Sequence, residues 1–141
     1  MYEGAFLIKA LEKSSEKKVK TMASSPKILP MAPCLYYLTF RDEYECDELG
    51  RVLELVVGAP RARTGEELYY WREGQYEVDY VLKVGRRVFT IDVKSGRTKG
   101  SKGMDAFLSQ FPKAVPVYVT LENYIQFEGD PMLFLEEYTK K

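Results

Sequence analysis

Glu77–Val84 (EVDYVLKV) and Arg87–Lys94 (RVFTIDVK), separated by Gly85-Arg86, decide how this chain folds. Both runs are rich in β-branched and aromatic residues, and a two-residue break that starts with glycine suits a type II′ hairpin turn. The turn sets the register. Val84 faces Arg87, and counting outward puts Leu82 opposite Phe89, Tyr80 opposite Ile91, Asp79 opposite Asp92 and Glu77 opposite Lys94. Strand side chains alternate, so Thr90, Asp92 and Lys94 share one face while Ile91 and Val93 point the other way. Directly opposed residues have Cβ atoms about 4.5–5.5 Å apart, and like charges there are destabilising. A facing Asp79/Asp92 pair among apolar neighbours therefore needs a shared proton, a basic neighbour or a divalent cation. Mg²⁺ is commonly held by one or two carboxylates, with waters completing its shell. The competing reading leaves both aspartates on a solvent face, with Glu77 and Lys94 in a surface ion pair worth at most about 1 kcal/mol. A one-residue slip in register would send the two aspartates to opposite faces.

Working outward, Glu67–Trp71 reads as a further strand, turning at Glu73-Gly74-Gln75 into the Glu77 run. Upstream, Asp47 is placed to cap a helix over Glu48–Ala59, with Leu49, Val52, Leu53 and Val56 on its apolar face and Glu54 near the edge of that face. Pro60 is expected to end it. Downstream, a Gly/Lys/Arg loop over Ser95–Gly103 leads to a helix over Met104–Phe111 and a strand over Val115–Thr120. Asp130-Pro131 then opens a helix over Met132–Tyr138, as N-cap and first helical residue. The N-terminal part has an apolar start, Ala5–Ile8, a charged run from Lys13 to Lys20, and a break at Ser24-Ser25-Pro26. From Lys27 to Phe40 the chain is apolar and interrupted by Pro30 and Pro33, so extended segments are expected there. The order is helix, three-stranded meander, helix, strand, helix: an α/β chain with a mixed central sheet flanked by helices.

Composition narrows the chemistry. The 141 residues are 45% hydrophobic, enough for one domain with a sizeable core. Lys plus Arg equals Asp plus Glu at 21 each, so global charge does not argue for a nucleic-acid partner, and any such contact needs a local patch. No apolar run approaches the ~20 residues of a membrane span and no signal peptide is recognisable, which makes the cytoplasm the default location and a membrane partner unexpected. Histidine is absent, which excludes Ser-His-Asp triads, Cys-His dyads and His-based zinc sites within this chain. Cys34 and Cys46 have no Cys-x-x-Cys spacing and read as packed thiols. Carboxylates, lysines and arginines are left to carry any chemistry.

The stretches Glu67-Leu-Tyr-Tyr-Trp-Arg72, Glu77-Val-Asp-Tyr-Val-Leu82 and Ile91-Asp-Val-Lys-Ser-Gly96 together resemble the C-terminal domain of a large group of archaeal and bacterial AAA+ ATPases. That domain is itself similar to the PD-(D/E)XK phosphodiesterase superfamily, with its restriction-endonuclease-like fold. The similarity reaches upstream to Ser24-Ser-Pro-Lys27 and Gly50-Arg-Val-Leu-Glu54, and downstream through Phe107–Pro112 to the final helix. It implies a nuclease-like domain over residues 41–141, with residues 1–40 as an extended arm. Within that arm, residues 1–30 would be the remnant of a preceding winged-helix and ATPase portion, so the chain would be a fragment or a natural truncation. The resemblance also implies a site. Asp79 matches the first acidic position, Asp92 and Lys94 match (D/E)-x-K, and Glu54 matches the acidic residue of the preceding helix. Asp79 and Asp92, with the Val93 carbonyl, would hold Mg²⁺ or Mn²⁺; Glu54 would hold a water of that ion or a second metal. Lys94 would orient the attacking water and balance charge on the phosphate. Two departures stand out: relatives usually carry Glu where this chain has Asp92, and the connection between the Glu54 helix and the Tyr69-Tyr70-Trp71 strand is short.

Lys94, Arg97, Lys99 and Lys102 occur with no acidic residue among them, and could receive a DNA or RNA backbone just beyond the acidic pair. The alternative is a solvated loop. Gly96–Gly103 does not have the spacing of a Walker motif. Trp71 and the neighbouring tyrosines read as core packing rather than a base-stacking platform. Gln110, on the helix after the loop, occupies a position where some nucleases of the superfamily use glutamine. Two functions follow: a metal-dependent phosphodiesterase acting on nucleic acid, or a non-catalytic binding or regulatory module of an ATPase.

Overall fold

The computed structural model describes residues 8–14, 25–32, 46–63, 66–96 and 101–140. The elements are β1 (Ile8–Leu11), β2 (Lys27–Pro30), α1 (Cys46–Arg63), β3 (Glu67–Glu73), β4 (Tyr76–Val84), β5 (Arg87–Lys94), α2 (Lys102–Gln110), β6 (Val115–Thr120), α3 (Tyr124–Gly129) and α4 (Pro131–Tyr138). The sheet order is β3-β4-β5-β6, with β3, β4 and β5 antiparallel and β6 parallel to β5. Helices cover both faces, which makes this an α/β fold with a four-stranded mixed sheet. The parallel β5–β6 pair follows from the connection: a loop and α2 carry the chain back, as parallel neighbours require.

Both faces of the sheet are apolar because both are covered. On one side Tyr80, Leu82, Phe89 and Ile91 pack with Leu53 and Val57 of α1 and with Phe127, Phe134 and Leu135 of α3 and α4. On the other, Trp71, Val78 and Val81 pack with Phe107 of α2; the Trp71 and Phe107 rings meet edge to face at 5.3 Å. Trp71 is therefore core. β1 and β2 form their own antiparallel pair, yet Leu11, Leu29 and Met31 belong to the α1-side cluster. The segment is tied to β3 by Tyr70 N–H donating to Glu12 O (3.1 Å) and Ser14 N–H donating to Tyr70 O (2.7 Å).

Most sequence-derived boundaries agree with the structure. Gly85 has φ +59°, in the left-handed region that its turn position demands, and the ladder runs from Val84↔Arg87 to Tyr80↔Ile91. The Asp130 side chain accepts from Leu133 N–H at 3.0 Å with Pro131 opening α4, which is the cap the sequence implied. Four expectations need correction. Helix α1 does not stop at Pro60 but runs through it to Arg63. Proline removes one backbone bond and crowds the preceding turn, but tertiary contacts secure the last turn. Ala62 is buried there, and Arg61 reaches Glu66 Oε1 at 3.4 Å and lies over the Phe127 ring. Position 47 lies within α1 rather than ahead of it, where an N-cap was expected. Helix α2 begins at Lys102 rather than Met104, with the Ser101 hydroxyl accepting from Met104 N–H as its cap. Finally, α3 was not anticipated: six residues are too short for helical periodicity to be legible.

Candidate functional site: a carboxylate pair flanked by two lysines

The expected facing pair is built differently from the simple hairpin count. β3 pairs Tyr69↔Val81 and then Trp71↔Val78, so β4 uses one residue more than β3 over this interval. Such a bulge bends the strand and re-aims a side chain. Its effect is visible in the core: Val78 and Val81, three apart, both pack on the α2 side, where strict alternation would separate them. The bulge falls at Asp79 and Tyr80. The β4–β5 ladder ends at Tyr80↔Ile91, and the next link is made by a side chain, with Val93 N–H donating to Asp79 Oδ2 at 2.8 Å. The expected rungs Asp79 opposite Asp92 and Glu77 opposite Lys94 are not formed. Glu77 instead lies 3.5 Å from Lys27 and 3.9 Å from Arg72.

Asp92 is 3% exposed, so the solvent-face alternative does not hold for it. It sits on β5 beside Tyr118 of β6, its partner in the parallel register. Lys94 Nζ is 3.0 Å from Asp92 Oδ2, an ion-pair contact without hydrogen-bond geometry, and Oδ2 has no hydrogen-bond donor among the described residues. Thr90 Oγ1, two residues earlier on β5, is also buried without a partner. A buried polar atom left unpaired costs about 1–3 kcal/mol, and more when charged. Among the described residues Asp92 Oδ2 is therefore balanced by the Lys94 ammonium alone.

Glu54 adjoins that pair, and its charge acts on Asp79 more strongly than that of Asp92 does. It projects from α1, and its Oε1 accepts a hydrogen bond from Lys27 Nζ of β2. Lys27 lies 5.5 Å from the centre of the Tyr80 ring, and Tyr80 Oη donates to the Glu54 backbone carbonyl at 2.9 Å. Gly58 permits this docking, since a Cβ there would lie 2.3 Å from Tyr80 Oη. Burial alone would lower the Lys27 ammonium, but the Glu54 carboxylate, with Asp79 and Glu77 adding, holds it above the usual lysine range. The Asp79 carboxyl is pushed up to about 7, first by burial and then by the Glu54 charge; Asp92 adds to the rise, while the Val93 N–H bond and Lys27 oppose it.

The line of charge thus runs Lys27, Glu54, Asp79, Asp92, Lys94, with a cation at each end and three carboxylates between. Of the residues expected to act together, Asp79, Asp92 and Lys94 are brought to one place, and Glu54, bonded to Lys27, adjoins Asp79. Among the described residues no three carboxylates are gathered closely enough to hold a metal ion. Arg97 and Lys99 lie outside the described residues, and Lys102 is exposed at the start of α2. Gln110 is bonded to Glu73. Sequence reasoning gave Lys27 no role. The signal was present in Ser24-Ser-Pro-Lys27, but only the fold shows which carboxylate it meets.

Fold and site together define an α/β domain with a lysine-flanked carboxylate pair, Asp92 buried and Asp79 half-buried, at a bulged strand. The chain belongs to the family described as Domain of unknown function (DUF4143), whose model matches residues 49–135, more than half of its length. No curated protein and no solved structure matches the chain. Among the described residues no helix is long and apolar enough to cross a membrane.

Proposed function

We propose that this domain is a nuclease-like module of the PD-(D/E)XK type, in which Asp79 and Asp92 hold one Mg²⁺ or Mn²⁺ for hydrolysis of nucleic-acid phosphodiester bonds. The observation that carries this is Asp92, buried next to the half-buried Asp79, whose Oδ2 accepts no hydrogen bond and meets only the Lys94 ammonium among the described residues. Hard oxygen donors of this kind fit a hard divalent cation. Bound there, the cation would supply Lewis acidity toward a phosphate. Lys94, at the rim of the pair, would contact the phosphate and orient the attacking water, and Asp79 would keep the end of β5 in place through its bond to Val93. The mixed sheet flanked by helices is compatible with a restriction-endonuclease-like core. The domain is known in AAA-ATPase-associated proteins, which is in keeping with an ATPase module as its partner.

A calorimetric titration with Mn²⁺ at pH 8 tests the proposal. We expect one ion per chain, with the heat lost in Asp92→Ala. No binding at millimolar Mn²⁺, or binding unchanged in that variant, would sink the metal site. If the ion binds, cleavage of single- or double-stranded DNA or of RNA should appear with it and disappear in Lys94→Ala. One observation favours a second reading, that of a non-catalytic binding or regulatory module of an AAA+ ATPase. Glu54 Oε1 is already bonded to Lys27. Metal binding without cleavage of any of these substrates would select that reading.

A further inference from the structure

The N-terminal segment delivers a cation into the acidic site, and neither the hairpin nor the carboxylates predict it. Lys27 is the first residue of β2, paired with Leu11 of β1, and Leu29, two residues on, is locked in the core. The ammonium is consequently placed by the fold and is not free to wander as a surface lysine would. It contacts Glu54 Oε1, lies 3.5 Å from Glu77 Oε1 and sits near the Tyr80 ring face. Its own side chain is 25% exposed and that of Glu54 24%. In so sheltered a place an ion pair is screened much less than at the surface.

We propose that Lys27 is the resident counter-cation of the acidic cluster, occupying Glu54 Oε1 beside Asp79 and competing with a divalent cation for it. This rests on the metal-site reading above and adds to it that Glu54 is withheld as a ligand by a residue of the N-terminal segment. Lys27 is a positioning residue: it acts on the bound ion through Glu54 and touches no substrate. Charge accounts for the arrangement. With Lys27 engaged on Glu54 and Lys94 on Asp92, the three carboxylates carry two flanking ammonium groups, and one negative charge at most is left unbalanced. With Lys27 neutralised, Glu54 becomes a third anionic donor within the field of Asp79, and the cluster attracts a divalent cation more strongly.

The test compares Mn²⁺ titrations of the full chain, by calorimetry and by electron paramagnetic resonance, for wild type, Lys27→Met, Lys27→Arg and Lys27→Met/Glu54→Gln. Circular dichroism of each variant checks that it is folded. Lys27→Met should bind Mn²⁺ about tenfold more tightly, Lys27→Arg should match wild type, and the double variant should lose the gain. A purely structural role for Lys27 would weaken binding or leave it alone, and either result in folded Lys27→Met overturns the proposal while the metal site stands. A gain that survives in the double variant overturns it too. Binding by Lys27→Met but not by wild type would support the Lys27 role and refute metal occupancy of the native chain. No binding by either would refute both. Should Lys27→Met fail to fold, Glu54→Gln alone decides the matter, since a carboxylate already withheld costs less than twofold when removed. A tenfold loss there would overturn the proposal.

Discussion

Asp79 shows how one side chain can carry both structure and electrostatics. Its carboxylate replaces a backbone rung by accepting from Val93 N–H, and burial with Glu54 and Asp92 nearby pushes it up to about 7. When the chain unfolds, the group returns to its ordinary value of 3.8. Between these values the folded chain holds a proton that the unfolded chain has released. The stability this contributes is full below pH 3.8 and is lost as pH rises through 7. Asp79→Asn keeps an oxygen for Val93 and cannot ionise. Its melting temperature in EDTA should match wild type near pH 4 and exceed it at pH 8 by roughly 10 °C, given about 1.4 kcal/mol per pKa unit and a few degrees per kcal/mol. Parallel melting curves from pH 4 to 8 would show that Asp79 does not titrate in this way. The presence of Asp79, Asp92 and Lys94 in one site was legible in the hairpin; the partners of each were not.

At the scale of elements, the bulge in β4 and the docking of α2 shape the site. The turn residues and apolar runs announced β4 and β5, but a bulge leaves little trace in a sequence because its extra residue reads like any other strand residue. It is the reason Asp79 reaches Val93 and lies within the field of Glu54, and the reason Glu77 meets Lys27 instead of Lys94. Helix α2 approaches β4 so closely that a Cβ on Gly103 would lie 2.0 Å from the Glu77 carbonyl oxygen, a backbone atom that cannot step aside. Gly103→Ala should therefore cost about 1–3 kcal/mol in urea unfolding despite alanine's better helix propensity. An unchanged or higher midpoint would mean that α2 docks more loosely than described. Pro60 teaches the reverse lesson: a residue that ends helices by its local chemistry is overruled when the turn beyond it is packed.

For the whole molecule, the described parts of the N-terminal segment count as core. Leu29 is 1% exposed and shares a cluster with Tyr80, Phe89 and Phe127. Leu29→Ala should destabilise the chain by about 2–5 kcal/mol in a denaturant titration, the range for a large-to-small core change. A loss under 1 kcal/mol would show instead that the segment merely leans on the domain. Because Lys27 belongs to the same strand, the variant should also loosen the contact between β2 and Glu54.

Local sequence specified the β4–β5 hairpin and its turn, helix α2, strand β6 and the Asp130 cap of α4. These are local matters, set by alternation, turn chemistry and capping within a few residues. Tertiary structure alone decided the bulge that aims Asp79, the passage of α1 through Pro60, and the meeting of Lys27 with Glu54, 27 positions apart. Those outcomes depend on which surfaces are buried against one another, and burial is a property of the assembled fold that no short window of residues contains.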